Sequence, residues 1–221
     1  GHYGNMCSPE DIAQWAGVSV GIVINCMHCV MAAILDQHDQ YIRMPSSNPR
    51  DMRQVNSVFA VNASAINLFV KPGLYGEMFY DQKSNYSLNC QLVIKSHNIL
   101  IVDYSLVQLG SIHNVYTFQN THIAKSHGAL IPWGHWTWGD MAYPTEKWCV
   151  VPFKKPWGKP KSEAEHIQLI CVHTHVEHAF AALKGHFQSL CGLCLQMKME
   201  DNLYITVYWV ECCLILHNMI I

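Results

Sequence analysis

Apolar positions along the chain change period twice, and each change marks a boundary. Residues 8 to 40 carry them at helical spacing. Ser8-Pro9-Glu10-Asp11 has the chemistry of a helix start, with a serine to cap, proline in the first turn and two acids near the positive end of the dipole. A helix is predicted from Glu10 to about Ala16. Gly17 then supplies a turn, and Ser19 opens a second helix that runs to about Asp36. Residues 44–50 form a polar linker containing proline. From Ser57 to Val70 the apolar residues alternate, as on a half-buried strand. Tyr86–Lys95 and Ile99–Val107 are two further strands, joined at Ser96-His97-Asn98 as an antiparallel hairpin. A helix is predicted from Asn114 to Leu130, with short strands at Trp136–Met141 and Trp148–Phe153. Then come a long helix from Ser162 to Leu190, begun by Glu163 and Glu165, and a last one from Tyr204 to His217.

This order predicts a mixed α/β fold, in which sites commonly lie at strand ends. Two units are expected: a helical, helix-turn-helix-like segment over 1–50 and an α/β domain over 57–221. No internal repeat or low-complexity tract interrupts them.

Composition narrows the picture. Half of the 221 residues are hydrophobic and only 14% are charged, enough for a sizeable core and too apolar for long disordered tails. The formal net charge of -2 lacks the basic surplus of most nucleic-acid binders. Arginine occurs only at Arg43, Arg50 and Arg53, while histidine (14) and cysteine (10) abound. The opening residues lack the pattern of a secretory leader, so reduced intracellular thiols are expected. Two stretches are apolar enough to raise the question of a membrane, Val18–Leu35 and Leu203–Ile221. Asn25 and His28 interrupt the first, and Glu211, His217 and Asn218 the second, and no membrane association is expected.

Two acids fit a metal-dependent site. Asp140 closes the strand Trp136-Thr137-Trp138-Gly139 and precedes a turn at Tyr143-Pro144. Glu177 lies on the long helix, with Phe180, Ala181 and Lys184 at spacings of three, four and seven. Hard cations need converging oxygen ligands of this kind. Alone the pair is weak, since an acid after a strand is commonly a turn or cap residue.

The surrounding motifs add what the pair lacks. Lys83-Ser84-Asn85-Tyr86-Ser87-Leu88-Asn89 with Gln91, Gly110-Ser111-Ile112-His113-Asn114, Gly139-Asp140-Met141-Ala142-Tyr143-Pro144, Val176-Glu177-His178-Ala179-Phe180-Ala181-Ala182-Leu183-Lys184 and Leu216-His217-Asn218 follow in order. This series resembles the DDE superfamily endonuclease domain of Harbinger transposases over about residues 57–220, and is similar to copies found in fungal genomes. The resemblance implies a ribonuclease-H-like core, a nuclear location, DNA as partner and Mg²⁺ or Mn²⁺ as cofactor. It also implies four metal-site positions: Asn62 and Asn114, each an amide where the family has an acid, then Asp140 and Glu177. The last two would be catalytic, with Lys83 and Lys184 contacting DNA. The separations are 52 (114 minus 62), 26 (140 minus 114) and 37 (177 minus 140). Read without the family, Asn62 and Asn114 are a turn residue and a helix cap.

Two neutral amides halve the formal charge of such a site. A two-ion clamp needs bridging carboxylates, so catalysis is expected to be impaired or lost. Gln82, His173, His175, His186, Cys191 and Cys194 stand where the resemblance implies arginine. Each change, like Asp to Asn, is one transition in the codon, the signature of cytosine deamination. The same residues allow a competing zinc reading, Cys191 and Cys194 with Cys171, His173 and His175, although the spacing matches no standard finger. The helix-turn-helix-like start has no lysine or arginine from Ser19 to Arg43, where phosphate contacts would lie. The alternatives to an impaired nuclease are a non-catalytic DNA- or protein-binding module and a pseudogene product.

Overall fold

The computed structural model describes residues 8–44, 59–73, 75–109, 118–119, 121–131, 136–140, 143–151, 163–193 and 200–221. Helix α1 (Pro9–Ala16) begins as its sequence dictates. Ser8 caps it, accepting from the Asp11 amide, while the Asp11 carboxylate reaches back to the Ser8 N–H in a reciprocal capping box. Gly17 ends it in the left-handed region at φ 67°, where a side chain would be strained. Ser19 caps α2 (Val20–Leu35), which meets α1 at 110°. A single turn, α3 (His38–Tyr41), follows. The predicted linker lies outside the described residues from position 45 onward.

Five strands form one sheet in the order β3-β2-β1-β4-β5. β1 (Phe59–Asn67), β2 (Ser87–Lys95) and β3 (Ile101–Leu109) are an antiparallel meander. β4 (Thr137–Trp138) and β5 (Cys149–Val150) run parallel to β1. Three antiparallel strands extended by parallel ones on the far side of β1, with helices packed on the sheet, make this the mixed α/β, ribonuclease-H-like fold expected.

The helix predicted over Asn114–Leu130 differs. Where it is described, it breaks into the single turns α4 (His122–Lys125) and α5 (His127–Leu130), with Ser126 between them outside helical geometry. Thr121 starts α4 by accepting from the Ala124 amide, and caps inside a segment are boundaries. The strands predicted at Trp136–Met141 and Trp148–Phe153 pair at only two residues each. Helix α6 (Glu163–His186) lies within its predicted span and ends four residues before Leu190, while α7 (Glu200–Ile220) extends beyond its predicted span at both ends.

Strand periodicity divides the core in two. Even positions Ala60 and Ile66 of β1 and Leu88, Cys90, Leu92 and Ile94 of β2 pack with α6 and α7. Odd positions Phe59, Val61 and Val93 pack on the opposite face with Phe118, Ile123 and Tyr143. Met31 of α2 and Ile42 join the first cluster, so the N-terminal helices share the core of the sheet. Helix α7 is apolar and long enough to cross a membrane by length and composition alone, but half of its most apolar stretch is buried inside the fold, as in a core helix.

Two polar residues near the end of α7 fasten it. Asn218 accepts from the Ile101 amide at 3.0 Å and donates to the carbonyls of Ile101 (2.6 Å) and Tyr41 (2.9 Å). His217 is fully buried. Its Nε2 faces the Ile99 carbonyl at 3.4 Å, while Nδ1 has no hydrogen-bond partner among the described residues. Burial lowers its pKa, the Ile99 carbonyl opposes the shift and His186 adds to it. The unfolded chain therefore binds a proton at a pH where the native protein refuses it. His217 contributes stability above its ordinary value near 6.5 that is lost as pH falls through the lowered native one. The melting temperature is expected to drop by a few degrees between pH 7 and 5, and less in His217→Gln. Equal pH dependence in both proteins would refute this.

Candidate metal and nucleic-acid site

Asn62 lies in β1, and Asp140 two residues beyond the end of the neighbouring parallel strand β4. Ala60 lies opposite Trp138 in the β1–β4 ladder, and two residues further along stand Asn62 and Asp140. The two-residue period sets Asn62 on the same side of β1 as Ala60, the side on which α6 packs, while Asp140 follows the end of β4. The Gly139 amide donates to the Val150 carbonyl at 2.9 Å, so β5 still holds the chain one residue before Asp140.

The turn after Asp140 is bolted to the sheet through Tyr143. Its amide donates to the Asp140 carbonyl at 3.0 Å, and its ring lies against Gly139, where an added Cβ would meet ring carbons at 3.2–3.3 Å. The Tyr143 hydroxyl accepts from Gln91 Nε2 at 2.9 Å, and Phe118 packs edge-on at 5.2 Å. Gln91 is fully buried in β2, and its Oε1 has no hydrogen-bond partner among the described residues. Tyr143→Phe would leave both amide ends of Gln91 unsatisfied. A loss of about 2 kcal/mol is expected, read as a fall of roughly 4–8 °C in melting temperature. Adding Gln91→Leu should recover part of it, because two apolar partners leave nothing unsatisfied. Additive losses in the double variant would count against this pairing.

Glu177 is exposed on α6, while Val176, Ala179, Phe180 and Leu183 bury the other side of the helix in the core. Lys184 fixes where α6 sits. Its ammonium donates to Ser64 Oγ and to the Ala65 carbonyl, both at 2.9 Å. Beyond α6 the chain returns to the end of β1, where the Leu193 amide donates to the Asn67 carbonyl at 2.8 Å. Glu177 stands about two helical turns before Lys184 on α6. Asn114 lies outside the described residues.

Among the described residues, no group of three or more His, Cys, Asp or Glu side chains is placed to hold a metal ion. Asn62 does not make good the deficit, because its Oδ1 accepts from the amide of its own neighbour Ala63 at 2.8 Å. At these positions the described residues offer two carboxylates, on Asp140 and Glu177, and an amide oxygen already in use, which is less than a bridged pair of ions needs.

Two lysines border this region. Lys83 is exposed on a loop that Asp81 shapes by accepting from the Lys83 and Asn85 amides and the Ser87 hydroxyl. Burial disfavours the Asp81 charge, yet these hydrogen bonds outweigh it and hold its pKa below the ordinary value. Burial lowers the Lys184 pKa, the thiols of Cys191 and Cys90 oppose that, and Lys83 adds to it, so the two ammonium groups share one neighbourhood. Sequence reasoning named both lysines but missed the Lys184 tie to β1 and the Gln91–Tyr143 bond. A glutamine inside the apolar run Cys90–Ile94 was the available signal for the second.

The competing zinc set is not assembled in what is described. Cys191 and His175 are exposed, the Cys191 thiol lies 3.9 Å from the Lys184 carbonyl, and the Cys171, His173 and Cys194 side chains lie outside the description.

A family model described as DDE superfamily endonuclease matches residues 65–218, a span containing positions 114, 140 and 177 and starting three residues after Asn62. No curated protein and no solved structure matches the chain.

Proposed function

The chain belongs to the DDE superfamily of endonucleases, and from that premise we propose that it is a transposon-derived, Harbinger-type nuclease domain that keeps the fold and DNA affinity but has lost efficient strand cleavage. Asp140 and Glu177 hold one Mg²⁺ or Mn²⁺ weakly, with Asn62 and Asn114 as neutral occupants of the other two positions. The ion would supply Lewis-acid polarisation of a phosphate oxygen. The chain itself contributes two carboxylates on a rigid strand end and helix, and Lys83 with Lys184 to draw a phosphate backbone. DNA as partner implies action in the nucleus.

The observation that carries this reading is the Asn62 side chain. It lies in β1, beside the short strand that precedes Asp140, and its oxygen accepts from the Ala63 N–H at 2.8 Å. Decay through cytosine deamination accounts for it. Gln82, His175, His186 and Cys191, where the resemblance implies arginine, are all solvent-exposed, as long charged side chains would be. Coding DNA compared with fungal sibling copies should then differ mainly by transitions.

Mn²⁺ binding followed by electron paramagnetic resonance tests the proposal. One weak ion per chain is expected, reduced at least about ten-fold by Asp140→Asn or Glu177→Gln, with a DNA gel shift and no plasmid nicking. Two tightly held ions, or nicking by the unaltered protein that Asp140→Asn abolishes, would overturn it.

A further inference from the structure

Helix α2 is uncharged from Val20 to Leu35, yet only Met31 among its residues is buried. Its inner side is accounted for. Met27, Met31, Ile34 and Leu35 belong to the main core, and the Cys212 thiol reaches the Met31 carbonyl at 3.6 Å. On the opposite side Ile22, Cys26, Cys29 and Ala33 are all exposed, at spacings of four, three and four. That is the seam of a helix that pairs with another helix, and its small residues permit close approach. Trp15, two residues before the Gly17 turn that joins α1 to α2, is 88% exposed, and Val18, Ile22 and Val30 are 40–51% exposed.

We propose that this face binds a second copy of the same chain, with the two α2 helices antiparallel about a two-fold axis. In that pairing the position numbers of facing residues sum to 55. Ile22 meets Ala33 of the second copy, a large side chain over a small one, and Cys26 meets Cys29 of the second copy. Asp36, which ends its own helix, is brought to the Ser19 cap of the second copy. A carboxylate is unfavourable at a helix C-terminus and favourable at an N-terminus, so the antiparallel arrangement improves its setting at both ends of the interface. The absence of charge along the seam means that self-pairing meets no like-charge repulsion.

The area suffices for a modest interface. Sixteen residues make a helix about 24 Å long and 10–12 Å across, and Trp15 adds about 200 Å², so two copies bury on the order of 1,000 Å², near the lower bound for a specific contact.

The test uses the whole chain with Cys7→Ser, Cys171→Ser, Cys191→Ser and Cys194→Ser, checked by circular dichroism. Light scattering at tens of micromolar should report twice the monomer mass of 25.2 kDa. Ile22→Glu or Ala33→Glu, both exposed and able to fold, should each weaken dimerisation at least ten-fold. Air oxidation with copper phenanthroline, in which oxygen takes the two electrons and two protons of the thiol pair, should cross-link the dimer. Cys26→Ser alone and Cys29→Ser alone should fail to cross-link, while an equimolar mixture of the two should succeed. A monomer mass at these concentrations, a dimer indifferent to both glutamates, or a mixture that does not cross-link would overturn the proposal. So would a monomer that uses this helix to bind DNA.

Discussion

Asn62→Asp combined with Asn114→Asp is expected to raise Mn²⁺-dependent nicking of supercoiled plasmid from background by about 10²–10³-fold, the scale on which removing a single group that stabilises the transition state is usually felt. Asp140 and Glu177 supply two negative charges on a strand end and a helix. The reversion supplies two more, and with them the bridging oxygens that neutral amides lack. At position 62 the backbone is ready for the change. The Ala63 amide that donates to Asn62 Oδ1 at 2.8 Å can donate equally to one oxygen of an aspartate, leaving the other available to a cation. Each single reversion should fall well short of the pair, because residues acting as a unit are not additive. Adding Asp140→Asn to the double revertant should return nicking to background, which separates the effect from a contaminating nuclease. A folded double revertant that cuts no better than its parent would remove Asn62 and Asn114 from the site.

The largest loss of stability is expected at Asn218. Strand β3 is the rim of the sheet, and Asn218 both accepts from the Ile101 amide and donates to the Ile101 carbonyl, as a neighbouring strand would. The same amide group reaches the Tyr41 carbonyl and so ties α3 to α7. Asn218→Ala breaks three hydrogen bonds and leaves buried backbone groups without partners. It should cost about 3 kcal/mol and lower the melting temperature by roughly 10 °C. Asn218→Asp keeps one acceptor, loses both donations and places a charge in a buried setting, so it should be no better than alanine. A shift of less than about 2 °C in the alanine variant would show that the network carries little weight.

Much of this architecture was legible in the amino-acid order, and the exceptions have physical causes. The Ser8 and Ser19 caps, the Gly17 turn and the hairpin of β2 and β3 were readable because their determinants lie within a few residues of one another. β4 and β5 were readable as strands but not in their extent or pairing, because two-residue parallel strands draw their register from β1, far away in sequence, and not from their own pattern. The segment from Asn114 to Leu130 looked helical from its apolar spacing, yet Thr121 and Ser126 divide it. At the site, motif order singled out Asp140 and Glu177. What holds them lies at long range: Gln91 to Tyr143 across 52 residues, Lys184 to Ser64 across 120 and Asn218 to Ile101 across 117. No local rule encodes such pairs.

The shared core has a consequence for how this sequence can be cut or reused. Met31 and Ile42 seal the same apolar interior that the strands and α7 line. A truncated product beginning at β1 would therefore carry an open hydrophobic wound. Cellular quality control reads such a surface as damage, so the strand-bearing part is not an exchangeable cassette and persists only together with its leading helices.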